Sequence, residues 1–155
     1  MDTASLPADK KADYLKILKL LNRMRPQFDN KDKHGRTCLH HAAAAGNIIG
    51  LEFTRDAMNY WFEKENETKI PEGEVCMALH ELAKVRTTGG ATALMQAAES
   101  GSFKAVKFFL QIGSDPLASD NLGRTALDHA KMAHLKDMML KVLEKAEHEE
   151  CDCPV

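Results

Sequence analysis

The feature that most constrains this 155-residue chain is a short phrase that it carries three times. The copies are RTCLHHAA at 36–43, ATALMQAA at 91–98 and RTALDHAK at 124–131. In each copy a Gly precedes the Thr by two residues, and a Leu and an Ala follow it at fixed distances. Thr92 and Thr125 are 33 residues apart, whereas Thr37 and Thr92 are 55 apart, which is 33 plus an insertion of 22. Self-similarity at this period indicates stacked supersecondary units rather than one closed globule.

Each copy has a local physical interpretation. The Gly permits the positive φ of a tight turn, and in two copies an Asp three residues earlier, Asp32 or Asp120, is typical of a β-turn opening. The Thr then marks a helix start, where its hydroxyl can cap free N–H groups. A second Gly, Gly46 or Gly101, predicts the end of that helix in the first two copies. The apolar run that follows at 103–110 predicts a second helix.

This pattern resembles the ankyrin repeat, whose units read D-x-x-G-x-T-P-L-H-x-A-A-x-x-G and continue into a helix rich in Val and Leu. Ser100–Pro116 is similar to the family's second helix and outgoing turn. The resemblance implies an all-α solenoid of helical hairpins with β-turn connections, and a habit of binding other proteins. The chain departs from the family pattern at three positions. The Pro after Thr is replaced by Cys38, Ala93 and Ala126. The His is kept as His40 but replaced by Met95 and Asp128, and the leading Asp is absent from the second copy.

The repeats and the resemblance together divide the chain into six parts. We expect an N-terminal capping helix or degenerate repeat at 1–31, a repeat with an extended second helix at 32–64, a helical insertion at 65–86, a repeat at 87–119, a C-terminal repeat at 120–146 and a tail at 147–155.

Composition narrows the class of protein. The 21 basic and 23 acidic residues leave a net charge of −2, which favours neither nucleic acid nor an anionic membrane as a partner. No apolar run approaches the length of a membrane-spanning helix, and the first residues lack the apolar core of a signal peptide. Four Cys without a pairing pattern suit a reducing compartment. We therefore expect an intracellular, cytoplasmic protein, with an organelle as an open alternative.

Two helical segments lie outside the recurring phrase. Lys11–Met24 carries apolar residues at helical spacing. We interpret it as a cap with one wettable face, the alternative being an amphipathic helix that docks on a partner. The second segment starts with a long helix at 47–68, which carries Tyr60-Trp61-Phe62 and leads into the insertion, where a second helical run follows at 75–85. We expect the aromatic cluster to be core, the alternative being a binding hot spot.

Enzymatic and metal-dependent functions find little support. The chain has no Gly-rich phosphate loop and no G-x-S-x-G elbow, so we predict no cofactor and no catalytic residue. Cys38, His40 and His41 could suggest a nucleophile or a metal cluster, but the resemblance gives His40 a structural role, bonding the turn backbone. In the tail, His148 with Cys151 and Cys153 lacks the second ligand pair that structural zinc requires, so we predict no metal and a frayed end.

Function must then come from the surface. We expect the inner side of the stack, made of turn tips and exposed flanks of the first helices, to bind another protein. With the aromatic pair of the insertion, the candidate residues are Lys33, His34, Arg36, His41, Tyr60, Trp61, Thr87, Thr88, Gln96, Glu99, Asn121, Leu122, Arg124, His129 and Met132. We expect His41 and His129 to be exposed. Leu122 is an apolar residue on a turn tip, which hints at contact. The leading hypothesis is a non-catalytic adaptor or scaffold; the alternative is a structural subunit of a larger assembly.

Overall fold

The computed structural model describes residues 27–67, 69–71, 75–132, 141–143 and 145, together with Lys16 and Leu20. Most of the predicted N-terminal helix, most of the second helix of the last repeat and the whole tail at 147–155 lie outside the described residues. From 27 to 132 the described residues form six helices and no strand: α1 Cys38–Ala44, α2 Ile48–Asn66, α3 Met77–Ala83, α4 Ala93–Glu99, α5 Phe103–Gln111 and α6 Ala126–Met132. The predicted all-α class is confirmed.

Each recurring phrase begins with a tight turn, as its Gly predicts. The backbone N–H of the Gly donates to the carbonyl three residues earlier in all three copies: Gly35 to Asp32 at 2.9 Å, Gly90 to Thr87 at 2.9 Å and Gly123 to Asp120 at 3.0 Å. All three glycines have φ between 72° and 79°, a conformation that residues with a Cβ rarely adopt. The Thr87 turn forms without the leading Asp.

The Thr of each phrase stands directly before a first helix, and the residue three positions later accepts its backbone N–H. The acceptors are Nδ1 of His40 for Thr37 at 3.2 Å, Sδ of Met95 for Thr92 at 3.4 Å and Oδ2 of Asp128 for Thr125 at 3.0 Å. The predicted bond from His40 to the turn backbone is therefore present. Imidazole, thioether and carboxylate all satisfy the same donor, which explains why the second and third copies fold without the His.

The three turns are joined into one ladder. The Thr88 N–H donates to the His34 carbonyl at 2.9 Å, and the Asn121 N–H donates to the Gly89 carbonyl at 3.1 Å. Behind the turns, α1 packs against α4 and α4 against α6, while α2 packs against α5 in a second layer. The first two copies are thus neighbours in space although 55 residues separate Thr37 from Thr92.

The core lies between the two helical layers and is densest at α4. Five of the seven residues of α4 are buried: Ala93, Leu94, Met95, Ala97 and Ala98. The small side chains of the three alanines let α1 and α6 approach α4 from either side, as the Ala pairs in the sequence suggest.

The insertion leaves the stack and returns to it. The helix α2 has 19 residues against nine in α5, and its buried residues, Leu51, Thr54 and Ala57, all lie in its first half. The chain then folds back through α3, which packs against α2. The predicted apolar face of this run is buried: Cys76, Leu79, Leu82 and Ala83.

The interpretation of the aromatic cluster as core is wrong for Tyr60, whose surface is 51% exposed. Its ring meets Trp61 edge to face, with centroids 5.6 Å apart, and the ammonium of Lys64 lies 4.7 Å from the Trp61 ring centre. Trp61 and Phe62 are half-buried. The cause is the position of Tyr60 on α2, because it lies on the face opposite the buried Leu51, whereas Phe62 packs against the core.

None of the helices that the structure describes is long and apolar enough to cross a membrane.

Candidate protein-binding surface

The three turn tips bring equivalent residues of the repeats side by side. We call residues 33–34, 88–89 and 121–122 the turn row. The ladder fixes their backbones, with His34 bonded to Thr88 and Gly89 bonded to Asn121. The Asn121 side-chain amide adds a further bond, donating to the Thr88 carbonyl at 3.1 Å. The second tip is therefore held on both sides, and the first and third tips are each bonded to it.

In the first copy a carboxylate organises the turn from behind. Asp32 Oδ1 accepts the backbone N–H of His34 at 2.8 Å and of Arg36 at 2.9 Å. Asp32 Oδ2 accepts from Arg36 Nε at 3.0 Å and contacts His41 Nε2 at 3.1 Å. The Arg36 N–H is the main reason that the pKa of the Asp32 carboxyl lies well below its ordinary value, so the carboxylate stays charged.

The third copy repeats this cluster with the same atoms. Asp120 Oδ1 accepts the N–H groups of Leu122 at 2.9 Å and Arg124 at 3.0 Å. Asp120 Oδ2 accepts from Arg124 Nε at 2.9 Å and contacts His129 Nε2 at 3.1 Å. The Arg124 guanidinium, followed by the Arg124 backbone N–H, holds the pKa of Asp120 well below its ordinary value.

In these clusters, four of the predicted partner-binding residues have a structural role within the chain. Arg36, His41, Arg124 and His129 hold their own turns together through the two carboxylates. His41 is exposed, as expected, but the expected exposure of His129 is wrong, because only 6% of its surface is accessible. His129 differs from His41 because α4, from the preceding copy, packs beside its helix and brings the Glu99 carboxylate to 3.9 Å from His129 Nδ1.

The second copy lacks this cluster. Thr87 stands where the other turns have Asp, and Ala91 and Gln96 stand where they have Arg and His. The Thr87 hydroxyl accepts the Ala91 N–H at 3.1 Å. The N–H of Gly89, equivalent to those that Asp32 and Asp120 bind, makes no hydrogen bond with any residue that the structure describes.

Several predicted residues do present free surface on the inner side. Leu122 is 75% exposed at the third tip, and Met132 is 57% exposed on the flank of α6. The Arg124 guanidinium lies 4.0 Å from the Met132 sulfur, which joins the two into one patch. The other predicted residues with exposed or half-exposed surface on this side are Lys33, His34, Thr87, Thr88, Gln96, Glu99 and Asn121.

Tyr60 and Trp61 are placed apart from these residues. They lie on α2, in the second layer, whereas the turn row precedes the first helices α1, α4 and α6. The predicted list thus contains two separate surfaces, the turn row with its flanks and the part of α2 that carries Tyr60 and Trp61.

The side chains of Cys38 and His40, considered above as a nucleophile or metal ligands, contact backbone groups. No group of three His, Cys, Asp or Glu side chains in the described part of the chain could hold a metal ion. The buried His40 bonds backbone groups of the first and second turns, and burial lowers its pKa. The Cys38 thiol contacts the Phe28 carbonyl at 3.4 Å rather than an imidazole.

Comparison with known proteins agrees with this geometry. A family model described as ankyrin repeats, in three copies, matches residues 70–153, which is more than half of the chain. The chain belongs to the ankyrin repeat family. The match begins inside the predicted insertion, and the Thr37 copy, which precedes the match, forms the same turn and helix start as the others. Ankyrin repeats are in general non-catalytic modules that bind other proteins.

A curated relative shares part of this sequence. The 2-5A-dependent ribonuclease of Homo sapiens is 52% identical over 46 residues, which are 29% of this chain and 6% of the relative. The aligned stretch thus spans only a small part of that protein's length.

Proposed function

We propose that this ankyrin repeat chain is a non-catalytic adaptor or scaffold that binds another protein through the turn row and the adjoining flanks of α1, α4 and α6. The observation that carries the proposal is the ladder between the turns, Thr88 to His34 and Asn121 to Gly89, because it fixes three tips in one line. A surface ordered before binding loses little conformational entropy in the complex.

The chemistry of the surface supports the same proposal. Leu122 and Met132 supply exposed apolar area on the third copy, and Lys33, His34 and Glu99 supply exposed polar groups on the first two. Exposed apolar side chains together with polar ones are usual in a protein-binding surface. The thiols of Cys38 and Cys76 are free, which fits action in a reducing, cytoplasmic compartment.

The test is affinity capture from native extract with the full chain and two charge-matched variants. Leu122→Asp with Met132→Glu places two negative charges on the inner side, and Lys107→Glu makes the same change of net charge on an exposed position of α5. We expect the double variant to lose captured proteins that the Lys107 variant retains. Equal capture by both variants would contradict the proposal.

One observation favours a structural subunit of a larger assembly as the second candidate. Tyr60 and Met77 expose apolar surface on the excursion formed by α2 and α3, away from the turn row. If Tyr60→Ser with Met77→Ser abolishes capture while the Leu122 and Met132 variant does not, the excursion is the docking surface, and the subunit interpretation replaces the adaptor.

A further inference from the structure

We propose that the second turn is the docking position for a carboxylate side chain of the partner, and that the partner segment is an acidic peptide with a large apolar side chain nearby. This inference rests on the proposed function and names the chemistry that the turn row recognises.

The argument starts from the two outer turns, which show how this backbone binds a carboxylate. In both, a carboxylate oxygen accepts the N–H of the second tip residue, His34 at 2.8 Å or Leu122 at 2.9 Å. The second turn has the same conformation, since Gly90 donates to the Thr87 carbonyl at 2.9 Å, as Gly35 and Gly123 do to their Asp. It lacks the carboxylate and, with Ala91 and Gln96, the Arg and His that accompany it.

The donors at the second turn remain available. The Gly89 N–H makes no hydrogen bond within the described part of the chain, and Gly89 is exposed. The Thr87 oxygen accepts from Ala91, so its own hydrogen is still able to donate. A Cβ added at Gly89 would meet only the Thr87 hydroxyl, at 3.8 Å, so a partner group can approach closely. An incoming carboxylate would find two donors.

The charges around the second turn balance one another, so the choice of a carboxylate rests on the two outer turns, where a carboxylate binds the equivalent N–H. Arg36 and Arg124 belong to the turns on either side, each about one-third exposed and each shared with its own Asp. Lys33, on the neighbouring tip, forms no ion pair with the described residues. Glu99, on the exposed flank of α4, is the opposing charge, and it leans toward His129 at 3.9 Å.

The apolar part of the peptide follows from the third tip. Leu122 and Met132 form the exposed apolar patch one repeat away from Gly89. The second and third tips are adjacent, because the Asn121 N–H bonds the Gly89 carbonyl at 3.1 Å, and backbones bonded in this way lie about 4.8 Å apart. An extended peptide advances about 3.3 Å per residue, so an acidic residue at the second turn places a side chain about one to two residues away against Leu122.

The experiment uses a phage-displayed library of random 12-residue peptides, selected against the full chain. Selected peptides are synthesised with a fluorophore, and their affinity is measured by anisotropy for the wild type and three variants. Thr87→Asp supplies the missing carboxylate within the chain. Thr88→Asp adds the same charge one residue away, and Gln111→Glu adds it on α5.

We expect the selected peptides to pair Asp or Glu with a large apolar residue about one to two positions away. Thr87→Asp weakens their binding about tenfold or more, because its own side chain occupies the Gly89 N–H, whereas Thr88→Asp weakens it less and Gln111→Glu leaves it unchanged. Replacing the peptide's Glu with Gln weakens binding to the wild type but not further to Thr87→Asp, the coupling expected of two groups that share one site.

Three results would overturn the inference: no enrichment, enriched peptides without an acidic residue, or equal binding by Thr87→Asp and the wild type. The native Asp in the other two turns indicates that Thr87→Asp will fold. If its circular dichroism shows that it does not, Thr87→Val removes the hydroxyl donor without adding charge, and unchanged binding by that variant overturns the inference. If affinity capture from extract depends on Leu122 and Met132 but the peptide selection gives one of these three results, the proposed adaptor function is retained and only the acidic peptide is refuted.

Discussion

The imidazole of His40 reaches the backbone carbonyl of Ala91, 51 residues later in the chain, at 3.4 Å. Its other nitrogen, Nδ1, accepts the Thr37 N–H, so Nε2 carries the hydrogen and donates to Ala91. One neutral side chain therefore closes the first turn and bonds it to the second.

Removing this side chain leaves a buried N–H without an acceptor and opens a cavity between repeats. We expect His40→Ala to lower the free energy of unfolding by about 3 kcal/mol, measured by urea denaturation. The neighbouring His41→Ala is the control, because His41 is exposed and its loss costs below about 1 kcal/mol. Equal losses for the two variants would contradict the assigned role.

The pH dependence of stability provides a second test. Burial lowers the pKa of His40 in the folded chain, so below the unfolded value of about 6.5 the unfolded state binds a proton that the native state does not. The contribution of His40 is complete above that pH. It falls as the pH drops, by up to about 1.4 kcal/mol per pH unit until the folded pKa is reached.

The matched variant is His40→Met, since Met95 performs the same role in the second copy. Urea unfolding at pH 7.5 and pH 5 should show a larger loss for the wild type than for the variant. The carboxyls of Asp32 and Asp120, whose pKa values are lowered, stay ionised throughout this window in both proteins. Identical slopes would mean that His40 does not titrate as assigned.

Gly90 and Gly123 have nearly the same φ, so substituting each with Ala distinguishes the cost of backbone strain from the cost of steric contact. Gly90 has φ 79° and Gly123 has φ 74°, so Ala is strained at either position. A methyl group at Gly90 would also lie 2.7 Å from the Asn121 backbone nitrogen, whereas no atom of the described residues lies within 4 Å of one at Gly123. We expect Gly123→Ala to cost about 1–2 kcal/mol and Gly90→Ala at least about 1 kcal/mol more, compared by thermal unfolding. A larger cost at Gly123 would refute the close packing of the second and third turns.

The helix α3 offers a test of whether the excursion belongs to the core. Leu79 is fully buried and Met77, two residues earlier, is exposed. We expect Leu79→Ala to cost about 3 kcal/mol and Met77→Ala within about 0.5 kcal/mol of zero, by urea denaturation. If Leu79→Ala is as mild as Met77→Ala, then α3 is an attachment that the stack does not need.

The turns and helix starts could be predicted from sequence because their causes are local. A Gly that needs positive φ and a Thr that precedes a helix act within a few residues, so Gly35 and Thr37 determine the first turn wherever the chain goes next. The apolar face of α3 followed from helical spacing in the same way, and Leu79 and Leu82 are buried as that spacing indicates.

What depends on neighbours could not be predicted. His41 and His129 hold the same position in the phrase, yet only His129 is covered, because α4 precedes it in the stack and contributes Glu99. Tyr60 is a different error, because aromatic residues are usually core but this one lies on the face of α2 opposite Leu51, while Phe62 packs against the core. Helical spacing along α2 carried that information.

The partner-binding role of the predicted residues stays a prediction, and the structure divides them by what they already do. Arg36 and Arg124 would be attractive contacts in a list of surface cations, yet each is engaged by a carboxylate of its own turn. The missing carboxylate at Thr87 was visible in the sequence as a departure from the pattern. Its consequence, an exposed Gly89 N–H, required the hydrogen bonds of all three turns.

The excursion through α2 and α3 has one more consequence. The chain leaves the stack along α2 and returns beside the first copy, so the 22 additional residues change neither the spacing nor the alignment of the turn tips. Loop length costs a folded protein little once its ends are fixed. Substitutions at the exposed residues of the excursion, such as Tyr60 and Met77, therefore leave the tips in place, whereas Leu79 and Leu82 tie it to the core. A second binding surface can thus evolve there independently of the turn row.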